Sequence, residues 1–442
     1  MRRTTVIGAA VALAAVSGIA LFGSGGQHSV ASVSAASSAA VSPPRDLGRL
    51  VEQFSAAPTA NVVRRLEAQA RTQDAAPTTL ALLGLGYQQL FRESGDPSWL
   101  SRSAAALGRA RAGAPSDPLA ATGLAQLAVT QQRVHDGEAL ARAALRLDPA
   151  STAARGALGD ALFNLGRYRA AFAEYDRLAA VGPSVAAYAR VAFARQIEGR
   201  RAAAIDAMEL ALEAGSGIPE QEAWARAQYG GMLLAVGRVA DAEGAFRQAL
   251  VLSPGYVQAE AGLARADAAR GRFDRSASRL QTVIARLPSP QYAILLGDVL
   301  RRAGRVQEAR ETEGLVDVLE KLLAANGVRT ELSTAVHDLD RGVKVDDALS
   351  RARFAYSAAP SVAAADAVSW GLYRTGRCGQ ARSWALTAAR LGTKEPLFAF
   401  HRGMIERCLG QAATARQQFR RALELDRNFS LRWAPVAHRL ST

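Results

Sequence analysis

The stretch Thr152–Pro183 decides the fold and reads TAARGALGDALFNLGRYRAAFAEYDRLAAVGP. Large apolar residues recur at helical spacing on both sides of a break: Leu158 and Leu162 before it, Tyr175 and Leu178 after it. Gly166 marks that break as a tight turn. Small residues at Gly159 and Ala171 let the two predicted helices cross closely. One such pair cannot bury its apolar face alone, so the pattern predicts neighbours stacked upon it.

The same pattern recurs along most of the chain. The turn glycine returns at Gly199, Gly237, Gly271, Gly304, Gly342, Gly376 and Gly410. The small residue of the second helix returns at Ala204, Ala242, Ala309, Ala381 and Ala415. A copy that begins near Pro118 lacks the turn glycine, and an earlier one has a stretched turn at Gly95. The spacing is mostly 33 or 34 residues, which indicates a regular array.

This period and this pattern resemble those of tetratricopeptide-repeat proteins over roughly residues 77–442. The resemblance implies an all-α fold: a right-handed superhelical α-solenoid of about ten helix–turn–helix repeats with N- and C-terminal capping helices. Helical spacing at Val62 and Leu66 predicts a leading cap, and a partial repeat around Trp433 predicts a trailing one. The run that ends at Asn326-Gly327 predicts a second helix longer than its peers.

The N-terminal residues predict export. A basic start and an apolar run from Val6 to Phe22 precede small-residue sites, so residues 1–35 are interpreted as a signal peptide or an uncleaved N-terminal anchor. Residues 36–76 are interpreted as an Ala/Ser/Pro-rich spacer with leading cap helices, and residues 77–442 as the solenoid. We expect a secreted or cell-envelope protein that meets a membrane only through an uncleaved N-terminal segment.

The charge balance constrains the partner only weakly. The formal net charge of +14 favours an anionic partner, although solubility alone also explains it. Arginines are spread along the chain without a basic run or interleaved aromatics, so we expect no nucleic-acid binding.

Signatures of catalysis and metal binding are missing from the sequence. No HExxH, GxSxG or GxxxxGK[ST] motif occurs, and no histidine pairs with another His or Cys at metal-ligand spacing. We therefore expect no enzyme activity, no metal and no cofactor.

The two cysteines are placed for a possible bridge. Cys378 opens the second helix of one repeat, and Cys408 lies near the end of the first helix of the next. Both therefore lie at the same edge of the predicted stack. A disulfide would fit an oxidising compartment, and two buried free thiols are the alternative.

The resemblance also implies a binding surface, because tetratricopeptide repeats present their first helices on a concave face. Carrying over the family's groove positions gives nine candidates: Arg301, Arg302, Asp366, Trp370, Tyr373, Arg374, Phe400, Met404 and Arg407. The arginines would pair with carboxylates of a partner, and the aromatic rings would hold apolar anchors. The alternative for Trp370 and Phe400 is that they fill gaps between helices. The chaperone-type carboxylate clamp is not matched, since Asp160 stands where Asn is expected.

The resulting function hypothesis is an exported scaffold that binds a protein or peptide in its concave groove, with an acidic segment as the candidate that the groove arginines favour. A cell-envelope enzyme or glycan-binding subunit built on a helical solenoid is the alternative. The sequence makes no prediction of oligomeric state.

Overall fold

The computed structural model describes residues 59–71 and 75–442. The predicted signal peptide or anchor at 1–35 lies outside the described residues, as does most of the predicted spacer. In the described part the chain forms 22 α-helices and no β-strand. No helix there combines the length and the apolar character needed to cross a bilayer.

The helices follow one another with short connections. Their bounds are α1 Thr59–Ala70, α2 Pro77–Ser94, α3 Ser98–Gly113, α4 Pro118–Thr130, α5 Val134–Leu147, α6 Thr152–Asn164, α7 Tyr168–Val181, α8 Val185–Ile197, α9 Arg201–Ala214, α10 Pro219–Ala235, α11 Val239–Leu252, α12 Val257–Ala269, α13 Phe273–Arg286, α14 Pro290–Arg302, α15 Val306–Ala325, α16 Glu331–Arg341, α17 Val345–Ala358, α18 Val362–Arg374, α19 Cys378–Ala388, α20 Pro396–Cys408, α21 Ala412–Leu425 and α22 Ala434–Leu440.

Helices α2 to α21 pair into ten helical hairpins, with α1 before the first and α22 after the last. The prediction of an α-solenoid of about ten repeats with capping helices is therefore confirmed. The long second helix is also present, since α15 has 20 residues where most second helices have 14.

Local sequence explains how each hairpin forms. Ser151, Ser184 and Ser361 cap first helices by accepting a hydrogen bond from a backbone N–H three residues on. The recurring turn glycines have positive φ, for example +80° at Gly237, a conformation that L-residues with a side chain adopt at a cost. In the second repeat, where that glycine is missing, Gln132 adopts the same conformation with φ +61°.

Glycines inside the helices admit aromatic rings from the facing helix. A Cβ atom on Gly230 of α10 or on Gly262 of α12 would overlap the ring of Phe246, which lies between them on α11. Gly159 faces Tyr175 in the third repeat in the same way. The small residues of the pattern thus set the spacing of the stack.

The solenoid curves until its C-terminal part returns to its N-terminal part. The backbone N–H of Val362 donates to the Tyr168 hydroxyl at 2.9 Å, across 194 residues of sequence. Thr393 donates to the carbonyl of Ile197 at 2.6 Å, and Arg201 donates to that of Leu425 at 2.7 Å. The first helices are consequently buried on several sides; in α14, for example, every residue from Tyr292 to Leu300 is buried. The first helices were expected to line an open concave face, and over α14 that face is largely covered.

One junction in the stack has no shared apolar core. Consecutive repeats share a buried apolar cluster throughout the described solenoid, except between the seventh (α14–α15) and the eighth (α16–α17). That junction is bridged by charged side chains instead, with Arg341 bound to Glu313 at 2.6 Å. We call residues 77–325 the N-terminal arm and residues 331–442 the C-terminal unit.

Replacing Gln132 by Gly should stabilise the protein by about 0.5–1 kcal/mol. The left-handed conformation costs a non-glycine residue about 1–2 kcal/mol, which glycine avoids. Glycine loses about 0.5–1 kcal/mol of this gain, because it has more conformational entropy in the unfolded chain. The side chain of Gln132 contributes little in return, since its amide reaches the Val129 carbonyl only at 3.5 Å. The midpoint of equilibrium urea unfolding should therefore rise.

The matched control is Gly237→Gln, which introduces the same residue at the equivalent turn. A Cβ atom at Gly237 meets nothing within 4 Å, so backbone strain is the main term, and the midpoint should fall. A fall for Gln132→Gly would contradict this account of the turn.

Candidate functional site

Three of the nine predicted groove residues lie in the interior. Trp370 and Phe400 are 0% exposed and Asp366 is 2% exposed. The Trp370 ring stacks between those of Tyr373 and His401, at centroid distances of 4.8 and 4.1 Å. For Trp370 and Phe400 the structure contains the alternative that the sequence left open, since both fill space between helices and Trp433 packs against both rings. The expectation that Asp366 lies on an open surface is wrong, because its carboxylate is buried against His401.

The segment before α22, which contains Trp433, is held by a shared carboxylate. The indole N–H groups of Trp370 and Trp433 both donate to Oδ1 of Asp340, each at 3.0 Å. Beside them, Nδ1 of His401 lies 2.9 Å from Oδ2 of Asp366. The trailing cap is thereby joined to the eighth, ninth and tenth repeats through one buried polar and aromatic cluster.

Two of the predicted arginines are engaged elsewhere. Arg301 forms an ion pair with Glu313 of α15. Arg302 is exposed and lies over the Phe273 ring, with its guanidinium carbon 5.4 Å from the centroid. Both belong to the seventh repeat, and the structure does not bring them together with the other candidates.

The remaining four candidates line one cleft. Tyr373 and Arg374 come from the end of α18, and Met404 and Arg407 come from the end of α20. The cleft has a volume of about 500 Å³. Within residues 59–71 and 75–442, neither Arg374 nor Arg407 forms an ion pair with a carboxylate, whereas Arg301 does. Arg374 lies over the Trp370 ring, with its guanidinium carbon 5.7 Å from the centroid. The cleft therefore combines two guanidinium groups that have no carboxylate partner among the described residues with an aromatic ring and a thioether.

A disulfide lies at the rim of this cleft. Cys378 and Cys408 are bonded, with their Cα atoms 6.2 Å apart, a separation typical of disulfides. The bond ties the start of α19 to the end of α20, so it fixes one wall of the cleft relative to its neighbour. Of the alternatives that the sequence left open, the structure contains the bridge, and no cysteine is free.

A second charged region, which the sequence did not predict, lies where the N-terminal arm meets the C-terminal unit. Arg201 and Arg265 of the N-terminal arm are attracted there to Glu395 and Asp426 of the C-terminal unit. Burial raises the pKa of Glu395 to about 8, with Arg201 opposing that rise. Burial likewise lowers the pKa of Arg265 below its usual range. Arg201 and Glu395 are far apart in sequence and carry no local signal, so no pattern could pair them.

A similar contact crosses the N-terminal arm itself. Glu220 accepts hydrogen bonds from Gln89 at 3.2 Å and from Tyr256 at 3.4 Å. Burial raises the pKa of Glu220, and the charge of Arg92 opposes this rise. Polar groups thus span the enclosed interior at two places.

The part of the chain that the structure describes contains no group of three His, Cys, Asp or Glu side chains placed to hold a metal ion.

Models of known families match two stretches of the chain that carry the repeat pattern. Two family models, both described as tetratricopeptide repeat, match residues 122–186 and 233–299. The chain contains tetratricopeptide repeats. The helical hairpins between and beyond these two matches continue the same pattern of helices and turns.

Two solved structures are similar in overall shape at low identity. One is the APC/C hetero-tetramer Cut9–Hcn1, with 15% identity, a TM-score of 0.43, and coverage of 89% of this chain and 81% of that one. The other is a human IFIT1 dimer with PPP-AAAA, with 14% identity, a TM-score of 0.44, and coverage of 86% and 80%. Neither likeness supports a conclusion about function. No curated protein matches the chain.

Reducing the Cys378–Cys408 bond should lower the free energy of unfolding by about 3–4 kcal/mol. The bond closes a loop across 30 residues, and the chain-entropy relation gives this magnitude for such a loop. Urea unfolding with and without reductant measures the difference. The Cys378→Ser/Cys408→Ser variant should show no response to reductant. Reaction of two thiols with a maleimide in native, unreduced protein would contradict the bridge.

Asp340→Ala should destabilise the C-terminal unit by about 2–4 kcal/mol, because two indole N–H groups lose their acceptor. Asp340→Asn keeps an oxygen at that position and should cost clearly less. Urea unfolding followed by tryptophan fluorescence compares the two variants. Equal losses would show that the shared hydrogen bond is not the source of the stability.

Proposed function

We propose that this protein is an exported scaffold that binds an acidic, partly apolar peptide segment of a partner protein in the cleft between α18 and α20. Tetratricopeptide repeats are generally protein-interaction modules, which supports the broad assignment. The observation that supports the finer one is a pair of guanidinium groups, Arg374 and Arg407, which have no carboxylate partner among the described residues and lie beside Tyr373 and Met404.

The chemistry of the cleft selects this class of partner. Guanidinium groups form strong, directional hydrogen bonds with carboxylates, and no carboxylate within the described residues forms an ion pair with these two. The ring of Tyr373 and the flexible thioether of Met404 provide apolar contact for a neighbouring side chain. A segment with an Asp or Glu beside an aromatic or aliphatic residue satisfies both requirements.

Two observations support export. The apolar run and small-residue sites in residues 1–35 have the order of a signal peptide or anchor. The Cys378–Cys408 bond fits an oxidising compartment outside the cytoplasm. On this proposal the membrane is met only through an uncleaved N-terminal segment, and neither nucleic acid nor a cofactor takes part.

The proposal assigns the protein no reaction of its own. The functional groups of the cleft are two guanidinium groups, a phenol and a thioether. Such groups orient a ligand, but they include no general base or nucleophile poised near neutral pH. The alternative of an envelope enzyme or glycan-binding subunit has no specific structural observation in its favour.

The test uses the purified oxidised full-length chain and fluorescein-labelled ten-residue peptides. Peptides that combine Asp or Glu with an aromatic residue should bind, and the same peptides with Asn or Gln should bind at least tenfold more weakly. Arg374→Glu/Arg407→Glu should weaken the best acidic peptide at least tenfold, since two attractive charge contacts become repulsive. Fluorescence anisotropy measures each dissociation constant.

The matched control is Arg416→Glu/Arg421→Glu, which makes the same change of charge at two exposed positions of α21. This control should leave binding within about twofold, because its effect on the cleft is only long-range and screened. Equal losses of peptide affinity in both double variants would show that net charge, and not contact in the cleft, causes the effect. Binding of neutral polysaccharide with no binding of any peptide would favour the glycan alternative.

A further inference from the structure

The C-terminal unit closes the solenoid by folding back on the N-terminal arm. We propose that this unit, residues 331–442, is a movable closure that swings about residues 326–330 between the closed form described above and an open form whose interior face is free for an acidic partner segment. The inference assumes a binding scaffold, as proposed above, but it does not depend on the cleft between α18 and α20.

The swing axis follows from the distribution of the apolar core. Each other pair of neighbouring described repeats shares a buried cluster, and such shared clusters couple repeats of a solenoid to one another. Between α15 and α16 that coupling is replaced by ion pairs, Glu313 with Arg341 at 2.6 Å and Asp317 with Lys344 at 3.9 Å. The exposed pair of Asp317 with Lys344 contributes little stability and is screened by salt, whereas Glu313 is buried and its charge is shared between Arg341 and Arg301. The chain is therefore weakly coupled at this junction alone.

The closing contacts are mostly polar. Five are hydrogen bonds: Val362 to Tyr168, Thr393 to Ile197, Arg201 to Leu425, Asn428 to Ala269, and the His135 ring with the Ala358 carbonyl. An ion pair between Arg432 and Asp298, at 3.7 Å, adds to them. Apolar contact accompanies them at two places. The buried Val362 and the partly buried Leu391 and Phe398 pack in the cluster of Phe163, and the partly buried Leu431 packs on the cluster of the sixth and seventh repeats. Contacts between parts of one chain that are small and polar in this way allow relative motion.

The charges at the closure indicate what an entering partner would carry. Arg201 and Arg265 lie on the N-terminal arm, and the carboxylates attracted to them, Glu395 and Asp426, lie on the C-terminal unit. When the unit swings away, both arginines lose these acidic partners. An acidic segment of another protein would replace Glu395 and Asp426, so the C-terminal unit acts as an internal competitor for the interior face.

Two glycines allow the closed form and supply the test. A Cβ atom on Gly166 would overlap the Pro360 carbonyl, and one on Gly199 would overlap the Gly392 carbonyl. Both overlaps join the N-terminal arm to the C-terminal unit. At Gly271 and Gly304, which have the same positive φ, a Cβ atom meets nothing within 4 Å. The pair Gly271→Ala/Gly304→Ala thus introduces the same backbone strain without touching the closure.

The experiment measures the distance between the two parts with spin labels. Labels at Ala170→Cys and Ser357→Cys, both exposed, report across the closure, and labels at Ala170→Cys and Ser278→Cys report within the N-terminal arm. The native disulfide leaves no other reactive thiol. In Gly166→Ala/Gly199→Ala the ratio of the long-distance to the short-distance population should rise at least tenfold across the closure. The within-arm distance should not change.

Raising the salt concentration of the wild-type chain from about 0.1 M to about 1 M should shift the same ratio in the same direction, since the screening length falls from about 10 Å to about 3 Å. If Gly166→Ala/Gly199→Ala loses helical content, this salt titration decides alone. An unchanged distance in both experiments, or equal behaviour of the two double glycine variants, would show that the unit is a fixed part of the fold.

The peptide experiment on Arg374 and Arg407 does not report on this motion, so the two proposals fail separately. Loss of peptide binding at the cleft leaves the distance measurement intact. A fixed C-terminal unit leaves the cleft accessible, because the cleft lies between helices of that unit alone.

Discussion

The structure depends on one repeated contact, an aromatic ring seated against helical glycines. Phe246 shows it most completely, since its ring lies against Gly230 of its own repeat and Gly262 of the next. A side chain at either glycine would push the helices apart by the thickness of a methyl group, and close-packed interiors tolerate that poorly. The same contact joins Gly403 to Phe419 and Gly159 to Tyr175. In these repeats a small residue on a first helix and a ring on a second fix how closely the helices stack, and elsewhere a leucine takes the place of the ring, as Leu107 does against Gly84.

A stack of such hairpins must curve, and here it curves far enough to meet itself. The consequence is that groups which line an open groove in the resemblance are enclosed in this chain. Asp160 illustrates this: it stands where the chaperone-type clamp would carry Asn, and the structure pairs it with the fully buried Arg190 at 2.8 Å and with the Tyr175 hydroxyl at 3.0 Å. Burial further raises the pKa of Tyr175, so the phenol stays a hydrogen-bond donor to this carboxylate. The departure from the clamp pattern thus has a structural explanation.

Sequence periodicity was sufficient to predict the local structure of the repeats, meaning their helices and turns. Turn glycines and the Asn326-Gly327 stop act through backbone conformation over a few residues, and the structure has helix ends at each of them. The second-helix alanines, such as Ala204 and Ala415, lie buried in the first turns of their helices. The proximity of Cys378 and Cys408 was also predictable, because adjacent repeats in register bring the same edge of each together. Gln132 shows the limit of the pattern: register enforced the turn even where the favourable residue was missing.

Long-range closure was not predictable, and it accounts for the misplaced candidates. Trp370 and Phe400 occupy groove positions by repeat numbering, yet Trp433 and its neighbours cover them. Repeat numbering describes an infinite stack and contains no information about where the stack meets itself or how its last helix turns back. Met404 and Arg407 remain accessible because they lie one turn further along α20, toward its end.

Charged groups meet where the C-terminal unit closes on the N-terminal arm, as Arg432 does with Asp298 and Arg201 does with Glu395. Replacing buried ion pairs with apolar residues of similar volume often leaves stability unchanged or higher, so stability alone does not account for such groups. Polar closing contacts have a different property. Their groups bind one another when the unit is closed, and water hydrates the same groups when it is open. An apolar closure would be stable only shut, since opening it would expose a large apolar surface. The absence of a shared apolar cluster between α15 and α16 has the same effect at the other end of the C-terminal unit. Both features lower the free energy needed to separate the two parts while leaving each part internally packed.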